Sequence, residues 1–303
     1  MRVLSVLWCL LLVAACSKAG DEVVRDDTGA SKRTGDTGAS KPTGDTGTSS
    51  STGDTGTGTG GLSPVVEMVQ IPGGLFTMGS PKTEEGRFPD EGPQHEVTVS
   101  SFWVMETEVT QELWAEVMGD NPSANSGCGP SCPVDSVIWE DAVAFANQLS
   151  IRHGLSEAYE VTGKGVEWDS GSSGYRLLTE AEWEYAARGG EGFVYAGSSE
   201  LEDVGWVNSN SGSTPHPVCL KARNGFGLCD MSGNVMEWVW DWYGDYTSDS
   251  QRDPWGPAGG SIRVIRGGSW NYSARDARVA YRDWGRPGDR FGGVGFRLAR
   301  PAP

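Results

Sequence analysis

The stretch RLLTEAEWEYAARGG, Arg176–Gly190, followed by NGFGLCDMSGNVMEWVWDW, Asn224–Trp242, decides how this chain is read. The first opens on Thr179 with Glu182 three residues on, a T-x-x-E capping box that sets a helix start. The helix runs to Arg188 and stops at Gly189-Gly190. Glu180, Glu182 and Glu184 crowd this start and invite an acid/base reading. Their roles are local: Glu182 caps, Glu180 complements the helix dipole, and Glu184 stands i,i+4 from Arg188. In the second stretch, DMSGNVME, a loop brings carboxylates at Asp230 and Glu237 around the backbone of Gly233 and Val235. Carboxylates at the ends and carbonyls between them suit a hard, oxygen-seeking cation such as Ca²⁺, and the competing reading is a turn with surface carboxylates.

Outward from these motifs, two more helices are predicted. One follows Thr110 as N-cap, covers Gln111–Met118 and ends at Gly119. The other covers Trp139–Arg152, with Ala142, Phe145, Ala146 and Leu149 on one face and Gly154 closing it. Short strands are expected at Glu96–Ser100, Ile262–Arg266 and Gly295–Arg300. No regular strand–helix alternation runs through the chain, which excludes a doubly wound sheet. The pattern is α+β with long irregular connections. Of the 13 Trp only Trp8 precedes Leu62, so the folded domain is placed at 62–303.

The amino terminus has another character. Arg2 precedes an apolar run that ends Val13-Ala14-Ala15-Cys16, too short to span a bilayer comfortably and closed by small residues. Residues 1–15 are read as a signal peptide of the bacterial lipoprotein type, with Cys16 as the lipidated first residue. This implies a cell-envelope protein held by lipid at the outer membrane or cell surface. Residues 16–61 are rich in Thr, Gly, Asp and Ser, and Gly-Asp-Thr-Gly recurs from Gly35, Gly44 and Gly53. So few apolar side chains cannot offset the entropy of ordering, so this segment is expected to be a disordered tether with a reach of roughly 35 Å. Lys41 and Ser50 break any collagen period. The formal charge of −17 leaves no basic stripe for phosphates and excludes nucleic acid as a partner. Four of the six cysteines, Cys128, Cys132, Cys219 and Cys229, lie in the domain. In an oxidising compartment they are expected as two local disulfides, Cys128–Cys132 and Cys219–Cys229. A zinc site competes weakly, since the paired spacing occurs only at Cys128–Cys132.

Taken in order, MVQIPGG from Met68, VMETEVT from Val104, the two stretches above, RGGSW (Arg266–Trp270) and GVGFRLAR (Gly293–Arg300) resemble the formylglycine-generating enzyme and sulfatase-modifying-factor family. The resemblance covers nearly all of 62–303 and implies a C-type-lectin-like fold. It also implies a structural calcium at Asp230, Gly233, Val235 and Glu237, two through side chains and two through backbone oxygens. The active members of the family bind copper through two cysteines shortly after RGGS. Here Tyr272 and Ala277 stand at those positions, a hard phenol and a methyl in place of soft thiolates that select Cu(I). Met236 replaces the family's Trp before Glu237. No copper is therefore expected, and no catalytic residue is assigned. His95, His153 and His216 do not match the three-histidine iron motif of related sulfoxide synthases. The segment Trp270–Gly293 instead carries Tyr, Ser, Asn, Trp, Gly and Arg, the residues of antibody-like binding surfaces. It resembles the diversified tails of retroelement-variable lectin-fold proteins. Ser269, Asn271, Tyr272, Trp284 and Phe291 are the candidate ligand residues for a protein or glycan, and a buried packing layer is the competing reading. The arginines at 275, 278, 282, 286, 290 and 297 are expected in internal ion pairs and on Trp faces rather than on an anion. The expected protein is an envelope lipoprotein with a non-catalytic binding domain; an oxidase with an altered metal site is the alternative.

Overall fold

The three helices expected from the sequence form where capping chemistry places them, and a further short one covers Leu201–Val204. In a computed structural model describing residues 63–302, Lys164 excepted, α1 spans Gln111–Met118, α2 Trp139–Arg152 and α3 Glu180–Arg188. The signal segment, Cys16 and the tether lie outside the described residues. Thr110 Oγ1 accepts the Leu113 N–H at 3.2 Å, and Gly119 leaves α1 at φ 89°, a left-handed turn open to glycine. The capping box of α3 is reciprocal: Thr179 Oγ1 accepts from Glu182 N and Glu182 Oε2 accepts from Thr179 N. Asp141 does similar work for α2, accepting the Ile138 N–H at 3.2 Å.

Strands are short and lie in separate small sheets. Met68–Ile71, Phe102–Met105, Leu298–Pro301 and Arg176–Leu177 form one antiparallel sheet in that order. A second runs Arg282–Gly285, Arg263–Arg266, Met236–Trp242 and Val294–Gly295, the last pairing parallel with Met236 and Glu237. Gly74–Met78, His95–Val99 and Gln251–Arg252 make a third, and Tyr159–Thr162 with Gly165–Trp168 a hairpin.

The predicted strand Gly295–Arg300 is not one strand. Val294–Gly295 belongs to the second sheet and Leu298–Pro301 to the first. The break has a cause. Arg297 turns its guanidinium inward to Glu237 and to the carbonyls of Glu106 and Cys229, so the chain leaves one sheet there and joins the other.

Two apolar clusters fill the interior. In the first, α1 and α2 meet the chain end: Trp114 stacks on Phe145 at 5.2 Å and Phe296 meets Phe145 edge-on at 5.4 Å. Each such pair adds about 0.5–1.5 kcal/mol beyond its buried area. In the second, α3 packs Trp183 and Ala186 against Val97, Val239 and Val264. The helix face read from the sequence, Ala142, Phe145, Ala146 and Leu149, is wholly buried. The sum is an α+β fold with little regular structure, held by packing and by buried polar contacts. Both local disulfides, Cys128–Cys132 and Cys219–Cys229, are present, which removes the thiolates that the competing zinc reading required.

Candidate functional site

Buried arginines tie the carboxy-terminal segment to the rest of the fold. Arg266, fully buried, bonds Glu184 Oε2 at 2.6 Å, and its two Nη groups also donate to the carbonyls of Val279, Ala280 and Tyr281. Arg282 makes a two-pronged pair with Glu180 at 2.6 and 2.9 Å, and Arg278 pairs with Glu91 and Glu84. Such planar forks fix position as well as charge. Burial opposes ionisation of Glu180, but Arg282 and Arg266 outweigh it and hold its carboxyl below the usual range. Glu91 shows the same balance, with burial overcome by hydrogen bonds from Arg278 and Ser80. All three acids of the α3 start are thereby occupied. Glu180 and Glu184 are buried partners of these arginines, and Glu182 holds Arg176 in a two-pronged pair. Three of the six tail arginines, Arg275, Arg286 and Arg290, instead stay outside, Arg275 over the Phe88 ring at 3.6 Å and Arg290 paired with Asp141 at 2.9 Å.

On this frame sits the segment 270–293. Asn271 is exposed and Trp284 is 53% exposed, so both are offered to solvent. Tyr272 and Phe291 are half-buried, packed against the first core cluster. Ser269 is fully buried and donates to Asn271 Oδ1 at 2.5 Å, so it positions Asn271 and presents nothing itself. A side chain at Gly293 would lie 2.9 Å from Ser269 Oγ, so the close packing there requires glycine. The Tyr272 and Tyr281 hydroxyls share the Asp283 carboxylate, the latter at 3.3 Å. Burial, with Asp283 and Asp276 close by, pushes the Tyr272 phenol up to about 12. Phe88 joins from a distant part of the chain, its ring 5.4 Å from Tyr281. Sequence reasoning missed Phe88 and Asp283, because nothing local marks a residue that joins a surface only through tertiary packing. Ala277 is fully buried among Leu201 and Val207. The position of the second family thiol is thus a packing contact here.

The predicted calcium loop is buried. Asp230, Gly233, Val235 and Glu237 are all nearly inaccessible, and Gly233 must be glycine because a side chain there would meet the Trp206 carbonyl at 2.3 Å. Asp230 Oδ2 accepts from Cys219 N at 2.6 Å, while its Oδ1 has no partner. Glu237 is different: Arg297 and Trp183 occupy both of its oxygens at 2.8–2.9 Å. Its lone pairs are taken. Glu108, fully buried with neither oxygen bonded, faces the same group, and burial followed by the Asp230 charge drives its carboxyl well above the usual range. Three buried acids thus surround one guanidinium, and the raised carboxyl of Glu108 is the neutral form that burial favours; a divalent cation drawn between them would hold these acids ionised. The free oxygens belong to Asp230 and Glu108. Glu237 fits as a ligand only by surrendering contacts to Arg297 or Trp183. The oxygens of Asp230, Glu108 and Glu237 do not close to within 4.8 Å of one another; among the described residues the compact donor group is Glu106, Cys219 and Cys229, and both of its sulfurs are spent in their disulfide. The histidines are held apart by local partners: His95 by Pro93, His153 by Pro64 and Tyr175, and His216 by Ser211.

Small mixed sheets, an arginine-braced carboxy-terminal segment and a carboxylate loop closed by Glu237 define a class. The chain belongs to the sulfatase-modifying factor enzyme 1-like domain family, whose model matches residues 58–302. It is similar to the chaperone protein LppX of Paenibacillus barcinonensis, 33% identical over 250 residues, covering 71% of this chain and 82% of that protein. It is also similar to the formylglycine-generating enzyme of Streptomyces coelicolor, 32% identical over 281 residues, covering 77% of this chain and 89% of that enzyme. Among solved structures, Treponema denticola variable protein 1 superposes with a TM-score of 0.73 at 39% identity, covering 78% of this chain and 95% of that one.

Proposed function

We propose that this protein is a lipid-anchored envelope module that uses the formylglycine-generating fold for binding rather than oxidation, and that its partner is a protein. One observation carries the reading. The positions of the family's copper thiols hold Tyr272 and a fully buried Ala277, while the neighbouring segment presents Asn271 and Trp284 on an arginine-braced frame. Rigid aromatic anchors beside adaptable polar groups suit a protein-binding surface. The chaperone name of the Paenibacillus relative supports a protein partner over a small substrate. Among the described residues no helix is long and apolar enough to cross a membrane, and the anchor in this reading is Cys16.

The test is site-specific photo-crosslinking in intact cells. A crosslinker at Asn271 or Trp284 should yield a discrete adduct, and one at Leu75, exposed in the third sheet, should not. Adducts from Leu75 alone, or from neither site, would refute the surface. For the anchor, Cys16→Ala should shift the protein from the membrane to the soluble fraction; unchanged membrane association would refute it.

Calcium is the second part of the proposal. Asp230 with the loop carbonyls of Gly233 and Val235 would hold the ion, Glu108 supplies a further free carboxylate beside it, and Glu237 joins on loosening Arg297. Its role is structural: it would neutralise buried charge that the protein leaves unpaired.

A further inference from the structure

A cavity of about 480 Å³ opens beside the hairpin Tyr159–Trp168, away from any residue used above. Its walls are Trp168, Trp240, Trp242 and Trp255, and Arg263 is the charged residue that lines it. This volume, with an aromatic lining that also carries a guanidinium and the backbone of Gly165, Gly259 and Gly260, is that of a small-ligand pocket. The packing is built rather than incidental. Tyr159 stacks on Trp240 at 5.2 Å, and the Arg263 guanidinium lies 3.8 Å from the Trp139 ring and 3.5 Å from that of Trp242.

Arg263 is 4% exposed, and its Nε is a buried donor without an acceptor. A buried donor of that kind calls for a ligand oxygen, and a guanidinium in the wall disfavours a cation. The shape then chooses among oxygen-rich ligands. Trp168 meets Trp240 at 63° and Trp255 at 65°, which makes a corner rather than the parallel ridges that hold an extended peptide. A ring with apolar faces and oxygens at its rim fits a corner.

Trp255, 54% exposed, is also a partition. Together with Trp242 and Pro257 it lines a second cavity of about 520 Å³, whose other walls include Asp245, Tyr246 and Arg252. This side sets the Asp245 carboxylate and the Arg252 guanidinium, an acceptor and a donor, in a mainly apolar wall.

We propose that these two cavities form a saccharide-binding site. One sugar ring stacks its C–H face on Trp255 and Trp168, its oxygens accepting from the indoles and Arg263. The next ring crosses the edge of Trp255 and meets Asp245, Tyr246 and Arg252.

Titration of the full protein with tri-N-acetylchitotriose, cellotriose and trigalacturonate, followed by tryptophan fluorescence and calorimetry, tests this. At least one should bind at millimolar concentration or below. Trp255→Ala should weaken it about tenfold, the loss of one stacking contact of ~1.4 kcal/mol. Because Trp255 is exposed, its melting temperature should stay unchanged, and Trp168→Ala serves as the second variant from the opposite wall. Trp284→Ala should leave saccharide binding intact, so failure here and failure of the protein-binding face are separable. Binding of none of the three, preference for a pentaproline peptide, or full saccharide affinity in both tryptophan variants would overturn the proposal.

Discussion

Removing Arg266 should unfasten the frame that carries the candidate surface. Its guanidinium is fully buried and spans Glu184 at 2.6 Å, the Val279 carbonyl at 3.0 Å and the Ala280 carbonyl at 3.2 Å, and it reaches the Tyr281 carbonyl as well. It also lies over the Trp183 ring at 5.1 Å. Arg266→Met leaves Glu184 buried with Arg188 as its remaining cation beside the Gly79 N–H, and frees three carbonyls, the case in which removal of one partner of a buried pair costs about 3–5 kcal/mol. For a domain of this size that is a fall in Tm of about 6–20 °C. Arg266→Lys keeps the charge but replaces a planar fork by a single ammonium, which cannot serve a carboxylate and three carbonyls together. Its loss should be smaller in Tm yet visible as faster amide exchange across 279–285. Thermal and urea unfolding with hydrogen exchange measure both. A Met variant that melts within about 3 °C of the parent would refute the bracing argument, since even the lower bound predicts twice that.

Stability should fall in acid with a definite sign. The Glu91 and Glu180 carboxyls lie below their ordinary range in the folded state, so their contribution is present above the unfolded value of 4.5 and is lost as pH falls through the folded one. Glu91→Gln should therefore flatten the unfolding-versus-pH curve below about pH 4.5, where an unchanged slope would argue against the pairing. Asp241 has the opposite sign, because burial, then the charge of Glu180, drives its carboxyl well above the usual range. Asp241→Asn should be near neutral in stability around pH 4 and increasingly stabilising as pH rises, and a destabilised variant at pH 8 would contradict this. For the proposed calcium, chelation should lower the Tm and Asp230→Asn should remove that sensitivity; a melting curve indifferent to chelator would return the loop to a buried turn.

Much of this was readable from residues with local causes. The limits of α1 and α3 follow from Thr110, Thr179 and Glu182 and from Gly119 and Gly189, and the start of α2 from Asp141, each acting within a few residues of the helix end. The two disulfides were legible for the same reason, being close in sequence. Long-range demands were not. Gly295–Arg300 alternates like a strand, yet Arg297 must reach Glu237 across 60 residues, and that ion pair divides the segment between two sheets. Ser269 reads as a pocket residue from its motif but is enclosed by Asn271 and Gly293. Glu108 gave no signal in VMETEVT, since its meaning depends on Asp230 and Arg297 arriving from elsewhere. The tryptophan cavity was equally silent: its walls come from a hairpin, a central strand and an irregular loop.

The central claim is that this member of the family binds and does not oxidise. The direct measurement is mass spectrometry of a cysteine-containing sulfatase peptide after incubation with the copper-loaded protein and oxygen. The account predicts no formylglycine product, because Tyr272 and the buried Ala277 offer no thiolate pair and the remaining domain cysteines are joined to one another. Catalytic conversion of the peptide by the unmodified protein, abolished by a copper chelator, would contradict it.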